Sequence, residues 1–156
     1  MHSILHLIGL AKRAGQLEVG DEPVGSTCRA KACRLILVAQ DAAENTFRRV
    51  CHFADVGACL WLTLPCRKDE LGPAVGRTFC AMVAVTDIGF ASAIAEKLAQ
   101  LDGKTYGAAA EKLSAKAEKA AQRRREQQAH AGKIRRGGKA KKPYIPTRIK
   151  RARQSK

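Results

Sequence analysis

The spacing of apolar positions changes several times along this chain, and each change predicts an element. Ile4, Leu7, Ile8 and Ala11 recur every three to four residues, as on one face of an amphipathic helix. Gly15 is the expected stop of that helix. Residues 16–19 then form a short extended piece ending at Gly20. Asp21 reads as an N-cap, with Pro23 tolerated in the first turn, and a helix is expected to about residue 32. Residues 34–39 (RLILVA) are a compact apolar run, as in a strand covered on both faces. Residues 58–63 (ACLWLT) and 80–85 (CAMVAV) predict two more buried strands. Asp41-Ala-Ala-Glu44 resembles a capping box that opens a helix to about residue 54. Residues 67–75 suit a short helix. Asp87 caps another that reaches about Leu101, with Phe90, Ile94, Leu98 and Leu101 on one stripe.

Helices thus alternate with nearly all-apolar strands. The predicted fold class is α/β: a three-layer α/β/α sandwich with a mixed, largely buried sheet over residues 1–103. Beyond it the pattern fades. Residues 104–130 are expected as a basic helical extension, rich in Ala, Lys, Glu, Gln and Arg. Leu113 is the one large apolar residue over 108–129, so no stripe is evident with which this helix would dock. Gly132, Gly137, Gly138, Pro143 and Pro146 interrupt regular structure further on, and residues 131–156 are expected to be a disordered basic tail.

Charge sharpens this division. Residues 1–100 carry 11 basic and 10 acidic side chains, whereas residues 101–156 carry 18 and 4. A near-neutral body with a strongly cationic end points to a polyanion partner, nucleic acid first and an anionic membrane surface second. Arg135, Arg136, Lys141, Lys142 and Arg148 are candidate phosphate contacts, with Tyr144 placed to stack on a base. No apolar run approaches the roughly 18–20 residues that cross a bilayer, and no apolar face accompanies the charge, so no membrane partner is expected. Lys12 and Arg13 follow the first apolar stretch rather than preceding it, which argues against a secretory signal and for a cytoplasmic protein.

The chemistry of catalysis is missing from the pattern. No phosphate-binding glycine loop, nucleophile elbow or zinc-protease motif occurs, and His2, His6, His52 and His130 stand in no nucleophile arrangement. Asp41 and Asp87 both follow strands, and capping accounts for each. No catalytic residue, cofactor or small-molecule substrate is expected. Cys28, Cys33, Cys51, Cys59, Cys66 and Cys80 contain no C-x-x-C pair, so they are read as reduced structural thiols with no metal.

Five motifs occur in order: GLAKRAG at 9–15, GDE at 20–22, LILVAQDAAENT at 35–46, ELGPAVG at 70–76 and VAVTDIGF at 83–90. In this respect residues 3–100 closely resemble the bacterial YlxQ-type branch of the ribosomal protein seven-Ae/thirty-e/Gadd45 superfamily. The resemblance implies an α/β/α sandwich and RNA binding, commonly to kink-turns, in ribosomal or other ribonucleoprotein settings. It also implies two RNA-facing loops. The first is Gly20, Asp21 and Glu22 with the helix that follows; the second is Gly76, Arg77, Thr78 and Phe79. The first loop of kink-turn binders usually reads Gly-x-Asn-Glu with a Lys three residues on. This chain has Glu22, Pro23 and, at the Lys position, Ser26. An Asn amide donates and accepts, whereas an ionised Glu22 only accepts. The sequence therefore predicts a non-enzymatic RNA-binding protein of the ribosomal seven-Ae-like family, with Lys12 and Arg13 extending its edge. The alternatives are a protein-interaction module of the same fold and an accessory domain of an RNA-modifying enzyme.

Overall fold

The computed structural model describes residues 1–136. They form α1 (His2–Arg13), β1 (Leu17–Val19), α2 (Asp21–Arg29), β2 (Leu35–Ala39), α3 (Glu44–Gly57), β3 (Leu60–Leu64), α4 (Lys68–Ala74), β4 (Met82–Val85), α5 (Ile88–Leu101) and α6 (Gly103–Arg136). The four strands make one sheet in the order β1-β4-β2-β3. β4 runs antiparallel to both β1 and β2, while β2 and β3 are parallel, with α3 as the connection between them. The chain divides into two compact units, Met1–Glu118 and Lys119–Lys156.

Side-chain alternation along the central strands creates two cores. Leu35, Leu37 and Ala39 of β2, with Val83 and Val85 of β4, face one layer. Ile36, Val38, Met82 and Ala84 face the other. The first layer is built by Ile4 and Ile8 of α1, Leu71 of α4, and Ile94 and Leu98 of α5. The second is built by Val24 and Cys28 of α2, with Val50 and Ala54 of α3. Both faces of β2 and β4 are covered, so every residue of these strands is apolar and buried. The α/β sandwich with a mixed sheet is therefore as the apolar runs predict.

Several local expectations are corrected. Asp41 does not open α3, which begins at Glu44 with Ala43 as N-cap. Its Oδ1 accepts instead from the backbone N–H of Lys68 at 2.8 Å, capping α4. β3 is an edge strand and only Leu64 in it is fully buried, because one of its sides has no neighbouring strand. Leu101 is 57% exposed rather than on the buried stripe of α5, where Ala91, Ile94, Ala95 and Leu98 make the contact. Asp87 does cap α5, its carboxylate accepting from Phe90 N–H at 3.0 Å.

The segment after residue 103 does dock. Tyr106, Ala110 and Leu113, spaced at three and four residues, are buried in the first core, with Leu113 only 1% exposed. One large aliphatic residue suffices because an aromatic and a small residue complete the stripe. The helix also continues past residue 130 to Arg136, beyond Gly132.

Candidate nucleic-acid interface

The sheet order decides which loops meet. Val19 pairs with Val83, which sets the end of β1 beside the start of β4. The Gly20 N–H extends this contact, donating to the carbonyl of Met82 at 3.3 Å. The chain entering β4 is thereby held next to the start of α2. Gly20 has φ +99, a conformation open to glycine at little cost. A Cβ there would lie 3.4 Å from Nη1 of Arg77, so the guanidinium rests over the bare Cα. Two loops far apart in sequence share one edge of the molecule.

The second loop is shaped by α4. The Arg77 N–H donates to the carbonyl of Gly72 at 2.8 Å. A Cβ on Gly72 would sit 2.6 Å from the Thr78 carbonyl oxygen and 2.8 Å from that of Arg77. Only a residue without a side chain lets the loop backbone lie this close to the helix. Gly76 supplies the positive φ, +79, on which the chain turns back. Leu71 anchors the helix in the core. The loop that results presents Arg77, Thr78 and Phe79 to solvent, and Phe79 is 65% exposed.

At the start of α2, Gly20 is the N-cap and brings no side-chain acceptor. Asp21 and Glu22 stand in the first turn, where acids complement the helix dipole. Asp21 is engaged by Arg49 of α3, an ion pair between partly exposed groups. Glu22 and Ser26 are exposed. Asp21, Glu22, Gly25, Arg29, Arg49 and Phe53 line an open groove of about 390 Å³ between α2 and α3. Arg29 and Arg49 are absent from the sequence-predicted site. Only the packing of α3 against α2 brings Arg49 to the acidic turn, and no local motif signals it.

The remaining predicted residues are dispersed. Lys12 and Arg13 are exposed at the end of α1. Arg13 lines a different groove, against Glu70, Pro73 and Ala74 of α4. Arg135 and Arg136 are the last residues of α6 and belong to the second unit. Within that unit residues 119–136 carry seven basic and one acidic side chain. Lys141, Lys142, Tyr144 and Arg148 lie outside the described residues. Among the described residues, no helix is long and apolar enough to cross a membrane.

No family model matches the chain. It is 34% identical over 90 residues to the RNA-binding protein YlxQ of Bacillus subtilis (strain 168), a match covering 55% of this chain and 85% of that protein. A second match, 44% identical over 46 residues, is to the RNA-binding protein YlxQ of Enterococcus faecium, covering 30% of this chain and 45% of that one. The solved structure of a protein with unknown function from Bacillus halodurans C is similar at a TM-score of 0.55 and 27% identity, over 60% of this chain and 93% of that chain. With most of the Bacillus subtilis protein matched at this identity, the chain belongs to the YlxQ family.

Proposed function

We propose that this chain is a non-enzymatic RNA-binding protein of the ribosomal seven-Ae/thirty-e-like superfamily. It docks structured RNA on the edge formed by residues 20–22 and 76–79, and its basic C-terminal region adds phosphate contacts. Two relatives named RNA-binding protein YlxQ support the partner class. The observation that carries the site is the meeting of Gly20 and Arg77, with Phe79 exposed two residues further on.

That edge combines three complementary features. The free N–H groups at the start of α2 can receive phosphate or base acceptors. Arg77 brings a planar guanidinium that pairs with phosphate in a bidentate manner. Phe79 offers an aromatic face to an unstacked base, the usual way proteins hold single-stranded or looped RNA. Beyond residue 118 the charge is sequence-tolerant, so it adds affinity rather than selectivity. Folded RNA with a sharply bent backbone, such as a kink-turn in ribosomal RNA or another ribonucleoprotein, is the substrate class that this edge suits. Six unpaired thiols fit a reducing, cytoplasmic setting.

The test is RNA binding measured across a salt series, using a kink-turn from ribosomal RNA and a duplex of equal length. The full chain and one ending at residue 118 are compared, together with Arg77→Ala and Phe79→Ala. The expected result is a steep salt slope in the full chain that becomes shallower on truncation. Both substitutions then weaken the kink-turn more than the duplex. Binding by neither chain at low salt would refute the proposal and favour a protein partner for the same edge.

A further inference from the structure

The fold gathers three cysteines that the sequence holds apart. Cys28 lies in the last turn of α2, Cys33 leads into β2, and Cys59 precedes β3. Their Sγ atoms all lie within 4.8 Å of one another. We propose that Cys28, Cys33 and Cys59 form a three-thiolate site for a soft d10 metal ion, zinc(II) or copper(I).

Two helix ends converge on the three thiols. Among the described residues, just two non-glycine residues have positive φ. They are Lys31 (φ +60), between Cys28 and Cys33, and Ala58 (φ +51), next to Cys59. Both residues close a helix in the left-handed conformation: Ala58 is the C-cap of α3, and past the end of α2 the N–H groups of Lys31 and Ala32 return to the carbonyls of Cys28 and Thr27. Gly57 completes the arrangement. A Cβ on it would lie 3.1 Å from Cβ of Cys28 and 3.2 Å from its Cα, so the end of α3 closes directly onto Cys28.

The chemistry matches a soft cation. Thiolate ligands select zinc, copper(I) and iron–sulfur groups over hard ions. Three sulfurs around a zinc at the usual 2.3 Å stand roughly 3.8 Å apart, so the cluster needs to contract by at most about 1 Å to close on an ion. Cys28 and Cys33 are buried and Cys59 is half-buried, so Cys59 is the member of the cluster that solvent reaches. No fourth His, Cys, Asp or Glu joins the group among the described residues. The site therefore has either an open fourth position on zinc, taken by water, or the three-coordinate shell that copper(I) accepts.

Two cations stand near the cluster, Lys116 by Cys59 and Arg29 by Cys28. An incoming metal ion takes the place of the three thiol protons, which pass to buffer as each sulfur donates a lone pair. Lys116 and Arg29 then offset the residual negative charge of the complex.

The other cysteines serve as controls. Cys66 and Cys80 belong to the core on the opposite face of the sheet. Cys51 is exposed on α3. The experiment uses the full chain carrying Cys51→Ser, reduced and metal-free, titrated in separate arms with zinc(II) and copper(I) against a competing chelator. Native mass spectrometry gives the stoichiometry. The expected result is one ion per chain, with the arm of higher affinity identifying the metal. Cys59→Ser should weaken binding by more than the roughly 10–100-fold that loss of an outer-shell partner causes. Cys66→Ser should leave it unchanged. Alkylation of the chain with all three ligands intact provides a reading that needs no core variant: bound metal should protect Cys28, Cys33 and Cys59 together. No retained ion in either arm, or an affinity unmoved by Cys59→Ser, overturns the proposal.

Discussion

The hydroxyl of Tyr106 in α6 donates to the carbonyl oxygen of Thr63 in the edge strand β3. Thr63 also pairs with Val38 on its inner side, so this contact occupies the open side of the sheet. Lys116, ten residues on, is near enough to Cys59 to lower its pKa, and Cys59 lies four residues before Thr63. Tyr106 thus ties the beginning of α6 to the edge strand. An unpaired edge is a template for wrong pairing, and a covering helix removes it.

The first prediction concerns that helix. A chain ending at residue 103 loses Tyr106, Ala110 and Leu113 from the core. Leu113 alone is worth about 1.5–3 kcal/mol of apolar burial. The 1–103 chain should melt well below the full chain and associate through β3. A 1–118 chain should melt close to the full chain. Thermal unfolding followed by circular dichroism, with light scattering, separates the two. Equal melting temperatures for 1–103 and 1–118 would show that α6 contributes no core.

Gly72→Ala tests how the second loop is held. Its new methyl meets the Arg77 and Thr78 backbone at 2.6–2.8 Å, and backbone cannot rotate aside. The cost should be about 1–3 kcal/mol, the range for overpacking. RNA affinity should fall with it as Arg77 moves off Gly20. Urea titration paired with RNA binding checks both. A variant with unchanged affinity would mean that the loop position does not matter to RNA.

Asp41→Ala removes the cap on α4, leaving the Lys68 N–H without its acceptor. The expected loss is about 1 kcal/mol. Asp41→Asn, which keeps an acceptor oxygen, should lose less. Chemical denaturation of both variants decides, and equal losses would place the effect in the Asp41 charge and its Arg67 neighbour instead.

Changing Glu22→Asn, Pro23→Glu and Ser26→Lys together should raise kink-turn affinity. The substitutions restore an amide that donates and accepts, a carboxylate acceptor and a phosphate partner on one exposed turn. Binding of the triple variant to a kink-turn and to its straightened duplex measures the change. No gain on the kink-turn would place the RNA surface elsewhere than α2.

Alkaline pH should destabilise the fold. Burial, then Asp102 and Cys66, lift the Tyr106 hydroxyl above its ordinary 10.0. Burial, then Glu70, Asp41 and Cys80, push the Cys66 thiol up to about 12. The folded chain keeps these protons at pH values where the unfolded chain releases them. Their contribution is thus intact below the unfolded values and lost as pH rises through the folded ones. Urea midpoints should begin to fall near pH 9, where the unfolded thiol releases its proton, and go on falling toward about pH 12. Tyr106→Phe should flatten part of that fall, and a midpoint insensitive to pH would contradict the assignment.

The sequence by itself determined the alternation of helices and strands, because the burial of β2 and β4 on both faces demands unbroken apolar runs such as LILVA and MVAV. It determined Asp87 as a cap, since that hydrogen bond spans three residues. The family resemblance also pointed to Gly20 and to the 76–79 loop, and the fold sets Arg77 against Gly20. Contacts between distant elements were decided only by tertiary structure. Asp41 looked like the cap of its own helix, yet strand pairing carries it to Lys68. Leu113 looked isolated until the fold set Tyr106 and Ala110 beside it on one stripe. Arg49 reaches Asp21, and Cys59 reaches Cys28 and Cys33, because α3 packs on α2 and returns the chain to β3. Local periodicity records which face a residue buries; it carries no information about which remote residue waits on the other side.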